Sequence, residues 1–147
     1  MRTKEIFRLL DEWAPPKASW EKDNVGLQVG SGQEDIQNVL ICLELTKNVL
    51  QDAIKKNCNL IITHHPFIFT PIKNINTSSD IRSQLIYELI KNDITLFSAH
   101  TNLDFTKDGV SFQLAYTLNL QNVNFLKINP IISLSYQFLS RKITLRN

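Results

Sequence analysis

Leu60-Ile61-Ile62-Thr63-His64-His65-Pro66-Phe67-Ile68-Phe69 is the stretch on which the fold turns. Three consecutive large aliphatic residues leave no polar face. A strand of this kind is buried on both sides, as in a parallel sheet covered by helices, and not half-exposed as in an antiparallel meander. Pro66 ends the strand, because proline cannot donate to a sheet ladder. The two imidazoles therefore fall where the chain leaves the sheet. Phe67, Ile68 and Phe69 beyond them read as core packing.

Working outward, the same grammar repeats on either side. Upstream, Val39-Leu40-Ile41-Cys42-Leu43 is another continuous apolar run. Thr46 then caps a helix whose stripe is Val49, Leu50, Ala53 and Ile54, and Lys55 and Lys56 form its solvated, dipole-matched end. Downstream, Ser79 or Asp80 caps a helix that turns Ile81, Leu85, Ile86, Leu89 and Ile90 inward, and Ile94 to Ala99 forms a further strand. A last helix covers about Val110 to Leu118. At the start of the chain, Thr3 caps a helix with Ile6, Leu9, Leu10 and Trp13 on one face, and Pro15 and Pro16 stop it. Asp23-Asn24-Val25-Gly26-Leu27-Gln28-Val29-Gly30 alternates polar and apolar, which suits a short strand from about Gly26, with Asp23 and Asn24 closing a turn. Strands alternating with helices predict an α/β fold, a three-layer α/β/α arrangement around a mostly parallel or mixed sheet.

Composition agrees with a folded, water-soluble unit. The chain has 147 residues, 43% of them hydrophobic and 20% charged, which suits one domain with a real core. The net charge of +2 is too small to mark a nucleic-acid binder. Two cysteines, Cys42 and Cys58, without a CxxC pair argue against a disulfide scaffold or a thiolate zinc site. The N-terminus lacks the apolar core of a signal peptide, and no run is long enough to span a membrane. The expected location is the cytoplasm.

All three histidines, His64, His65 and His100, follow predicted strands, and Asp104 follows His100 closely. In parallel α/β sheets ligands bind beyond the carboxyl ends of the strands, so neighbouring strands would bring these groups to one rim. Imidazoles with a carboxylate suit divalent zinc, iron, manganese, nickel or cobalt without selecting among them. Asp104 can bridge two ions, and His100 can instead orient a ligand. Taken singly, each histidine has a structural role at a strand end as an equal alternative. Neither a glycine-rich phosphate loop nor a Gly-x-Ser-x-Gly elbow occurs, so the chemistry these residues favour is metal-assisted.

Three segments, Asp23 to Gly30, Leu60 to Phe69 and Ser98-Ala99-His100-Thr101-Asn102-Leu103-Asp104, occur in this order in the YbgI/YqfO-like dinuclear metal-centre family. These are the Nif-three-like proteins, also known as GTP cyclohydrolase I type 2 homologues, and this chain resembles them over about residues 1–125. The resemblance implies a ring-shaped homohexamer with two divalent ions per subunit facing an internal cavity. It implies that His64, His65 and Asp104 are metal ligands, with His100 beside them in an orienting or acid/base role. Where the family pattern has Leu-Asp-x-Thr, this chain reads Leu43-Glu44-Leu45-Thr46, which keeps an acid on a longer arm. Glu44 thus joins His100 as a candidate proton-transfer group.

The family's late histidine and glutamate ligands have no counterpart here, and residues 128–147 do not resemble its next segment. The expected organisation is a metal-binding domain over 1–127 and an atypical tail over 128–147, the C-terminal part of the family fold being cut away. The implied activity is hydrolysis of a nucleotide or phosphoester through metal-activated water. The alternatives are a metal-binding ring scaffold without turnover and an inactive truncated fragment. The expected partners are further copies of the chain and a small-molecule substrate, with neither nucleic acid nor membrane.

Overall fold

A computed structural model of the chain describes residues 1–125. Four strands form one sheet: β1 (Gly26–Val29), β2 (Val39–Cys42), β3 (Leu60–Thr63) and β4 (Thr95–Ser98), in the order β1-β4-β3-β2. Strands β2, β3 and β4 run parallel, with Leu60 opposite both Val39 and Thr95. Strand β1 closes the other edge antiparallel to β4, so the sheet is mixed.

The helices follow from the connections. Helices α2 (Lys47–Lys55) and α3 (Ile81–Lys91) carry the chain from β2 to β3 and from β3 to β4. Both crossovers step the same way along the sheet, and a common hand places both helices on one face. Leu50 and Ala53 of α2 and Leu85, Ile86 and Leu89 of α3 pack there with Ile61 and Leu96 of the strands. The opposite face, carrying Leu60 and Phe97, is covered by Ile6, Phe7 and Leu10 of α1 (Thr3–Trp13). The Phe7 and Phe97 rings stack at 4.5 Å. Alternate side chains of β3 and β4 thus serve opposite layers, which gives the three-layer α/β/α arrangement.

Both crossover helices start with the expected caps. Thr46 accepts the Val49 N–H at 3.2 Å, and Asp80 accepts those of Arg82 and Ser83 at 3.3 and 2.9 Å. Two short helices complete the described chain, α4 (Thr101–Asp104) and α5 (Val110–Thr117). Among the described residues no helix is long and apolar enough to cross a membrane. The boundary expected at 127/128 and the tail over 128–147 lie outside the described residues.

Several local expectations change. Thr3 lies inside α1, with Arg2 at the cap position and its N–H held by Glu5 Oε2 at 3.0 Å. The buried Thr3 hydroxyl instead donates to the Glu34 carbonyl at 2.9 Å and pins the helix to the loop before β2. Phe7 takes the inward position on α1, leaving Leu9 and Trp13 about half exposed, because the ring stacked on Phe97 sets the rotation of the helix. Ile81 and Ile90 are exposed as well, since only one stripe of an apolar-rich helix can meet a sheet. Ile41 is 78% exposed because β2 is an edge strand and its α1-side face is uncovered there. Phe67 and Ile68 pack on the core, whereas Phe69 is exposed.

Candidate metal centre

The carboxyl ends of β2, β3 and β4 form one rim, and β1, running the other way, brings its amino end to the same place. Gly26 pairs with Ser98, so Asp23 and Asn24 arrive beside the end of β4. Just beneath the rim the buried Thr63 and Ser98 hydroxyls meet at 2.7 Å and tie β3 to β4.

Adjacent residues on a strand face opposite ways, which would part His64 from His65. The chain avoids this by leaving the pleat. The N–H groups of His64 and His65 donate to consecutive carbonyls, Cys42 at 3.2 Å and Leu43 at 2.8 Å. In a regular strand, successive N–H groups turn to opposite neighbours. Both imidazoles therefore reach the rim, with centroids 5.2 Å apart. The His100 ring lies 5.2 Å from that of His64 and 5.8 Å from that of His65. One ring nitrogen from each histidine lies within 4.8 Å of those from the other two.

Each imidazole also faces an oxygen. His64 Nδ1 is 2.9 Å from the Ala99 carbonyl, which can only accept, so Nδ1 carries the proton and Nε2 presents its lone pair. That Nε2 stands 3.6 Å from Asp104 Oδ1. His65 Nδ1 stands 3.8 Å from Glu44 Oε2, on the more exposed side of the cluster. His100 Nδ1 donates to Asp23, 2.9 Å from both carboxylate oxygens. Burial pushes the Asp23 carboxyl up, but the hydrogen bonds from Thr101 and His100, with the charge of His100, outweigh it and hold its pKa below the ordinary value.

The arrangement brings together every residue singled out from the sequence: His64, His65, Asp104, His100 and Glu44. His100 shares one cluster with the other two imidazoles, and Asp104 is placed against His64. Asp23 was missed as a site residue, having read as part of a turn. Its side chain is 1% exposed and contacts His100 and Thr101, far away in sequence. The available signal was the antiparallel option for β1, which alone brings its leading residues to this rim. The same segment braces the histidine loop, because Asn24 Nδ2 donates to the Ile68 carbonyl and Gln28 Oε1 accepts the Ile68 N–H at 3.0 Å. Gln28 can do so because it is the extra residue of a bulge between Leu27 and Val29.

The donor set suits a divalent ion of the zinc or iron type: three imidazoles, those of His64 and His100 with one ring nitrogen held by an oxygen partner, and carboxylates at the margin. Cys42 adds no ready thiolate, since burial and then the nearby Glu44 charge raise its pKa. Two grooves of about 450 and 590 Å³ lie away from the histidines, one between α2 and α3 and one at the amino ends of the strands.

Fold and rim together define a three-layer α/β protein with a carboxylate-backed histidine cluster at the ends of its parallel strands. The chain belongs to the Duf34/NIF3 (NGG1p interacting factor 3) family, whose model matches residues 1–146. It is 39% identical over 123 residues to the GTP cyclohydrolase 1 type 2 homolog of Listeria monocytogenes, covering 84% of this chain and 33% of that protein. It is 35% identical over 129 residues to the Clostridium acetobutylicum homolog, covering 88% and 48%. Among solved structures it is similar to the Bacillus cereus protein related to NIF3 (TM-score 0.80, 40% identity, 85% of this chain and 34% of that one). It is also similar to reduced HcgD from Methanocaldococcus jannaschii (TM-score 0.78, 37% identity, 84% and 49%). The chain thus spans a third to a half of the length of these relatives.

Proposed function

We propose that this chain holds a divalent metal ion through His64, His65 and His100, with Asp104 and Glu44 as carboxylate ligands or proton-transfer groups beside it. The single observation that carries the reading is the convergence of three ring nitrogens within 4.8 Å of one another. Imidazoles with no ligand would gain nothing from this crowding, whereas an ion makes it favourable. Asp104 is suited to bridge towards a second ion, as expected for a paired centre.

The reaction we assign is hydrolysis of a nucleotide or phosphoester. A bound divalent ion would polarise the bond under attack and make water a competent nucleophile near neutral pH. The chain's own residues do the rest. His64 is oriented by Ala99, and His100 by Asp23. Glu44 and His65 form the more exposed pair through which a proton can leave to solvent. Self-association into a ring of six belongs to the same proposal, and so does a cytoplasmic location. A second reading, metal binding without turnover, draws on one observation: the two grooves described, one between α2 and α3 and one at the amino ends of the strands, lie away from the histidines.

Elemental mass spectrometry of the purified protein after dialysis tests the metal reading, followed by a turnover screen with nucleotides and phosphoesters. One to two ions per chain with turnover is expected. Ions without turnover would select the scaffold reading, and no retained ion would overturn both.

A further inference from the structure

We infer that Asp23 is the positioning residue that decides which nitrogen His100 presents to the site. This inference rests on the proposed metal reading for its consequence, though not for its geometry. The proton positions follow from obligate donors. The Trp20 backbone N–H can only donate, and it does so to Thr101 Oγ1 at 3.0 Å. The Thr101 hydroxyl is left to donate its own proton to Asp23 Oδ2. The Thr101 backbone N–H donates to the same Oδ2 at 3.2 Å. Two donors thus converge on Oδ2, while Oδ1 accepts the Asn24 backbone N–H at 2.8 Å, and His100 Nδ1 stands 2.9 Å from both oxygens. A carboxylate oxygen can only accept, so Nδ1 bears the proton and Nε2 keeps its lone pair. The Asp23 side chain is 1% exposed, so no water competes for these bonds. The three groups come from the segment before β1, from the end of β4 and from α4, and the antiparallel placement of β1 is what joins them.

In Asp23→Asn, a change of nearly equal shape, the amide offers one acceptor oxygen where the carboxylate offers two. Whichever way it turns, its NH2 meets a backbone donor, the Thr101 or the Asn24 N–H. Of the ring and backbone donors around it, only the imidazole can move its proton, and Nδ1 then accepts from the amide NH2. The imidazole proton moves to Nε2, and the nitrogen that should meet the ion becomes a donor. Disturbing an oxygen partner of a metal-ligating histidine typically costs 10–100-fold in metal affinity, and this change goes further by reversing the tautomer.

The test uses the full chain with histidine labelled by ¹⁵N, freed of metal and held above the histidine titration range. Long-range ¹H–¹⁵N spectra should show His100 protonated at Nδ1 in the wild type and at Nε2 in Asp23→Asn. Zn²⁺ affinity, measured by chelator competition, should fall 10–100-fold in that variant. In Thr101→Val, which keeps the carboxylate and its charge, the wild-type tautomer should persist. A wild-type His100 protonated at Nε2 would overturn the inference even if the variant failed to fold. The same tautomer in wild type and Asp23→Asn would overturn it too. Failure of the wild type to bind Zn²⁺ would count against the metal reading alone, since the tautomer is read without metal.

Discussion

The two rims of the sheet are built from similar polar residues and do different things. At the amino ends of the strands, Asn38 Nδ2 donates to the Lys56 and Asn57 carbonyls at 3.1 and 3.2 Å. Asn59 Nδ2 donates to the Asp35 carbonyl at 2.7 Å, and Asn59 Oδ1 accepts the Gln37 N–H at 2.8 Å. Those side chains are spent on closing loops. At the carboxyl ends, each of His64 and His100 commits one ring nitrogen to an oxygen partner and leaves the other turned to the cluster. A polar rim becomes a candidate site when the fold has satisfied its own backbone and donor atoms remain over.

The comparison can be broken most severely at the carboxyl rim. His64→Ala should abolish retained metal while removing a single hydrogen bond to Ala99, worth about 1 kcal/mol. Metal content and urea unfolding, run side by side, check both halves, and wild-type metal content in this variant would erase the distinction between the rims. Asn59→Ala is the mirror experiment. It should leave metal content unchanged and lower stability by about 1–2 kcal/mol through two lost loop-closing hydrogen bonds.

A third prediction concerns acid. The native pKa of Asp23 lies below its ordinary value of 3.8, so its carboxylate contributes stability that is fully present above pH 3.8. That contribution is lost as pH falls through the depressed native value. The stability difference between wild type and Asp23→Asn, measured by urea titration without metal from pH 5 downward, should shrink as the pH falls below 3.8. A difference that grew below pH 3.8 would contradict the sign. Smallest of all is Ile41→Thr on the open edge strand, remote in character from both rims. With Ile41 78% exposed, it should move the unfolding midpoint by no more than about 0.5 kcal/mol equivalent and leave metal content alone.

Much of this architecture was legible in the chain. The runs at Leu60 and Ile94 announce parallel strands because burial on both faces removes the need for alternation, and Thr46 and Asp80 mark helix starts through their oxygen atoms. The histidines were legible as strand-end groups for the same reason. What stayed hidden depended on partners distant in sequence. Whether Leu9 or Phe7 turns inward is decided by Phe97, which local periodicity does not contain. The exposure of Ile41 follows from β2 lying at the edge, a matter of strand order. Asp23 looks like a turn residue until β1 is known to run antiparallel to β4. The role of Asn24 and Gln28 in holding Ile68 was hidden similarly, because a bulge cannot be read from an alternating pattern alone.

The central claim is that three imidazoles on this rim ligate one divalent ion. X-ray absorption at the zinc edge on the Zn²⁺-loaded chain tests it most directly. The account predicts imidazole scattering with Zn–N distances of about 2.0–2.1 Å, reduced in His100→Ala as well as in His64→Ala. An all-oxygen shell without imidazole scattering, or a spectrum unchanged by loss of either histidine, would contradict it.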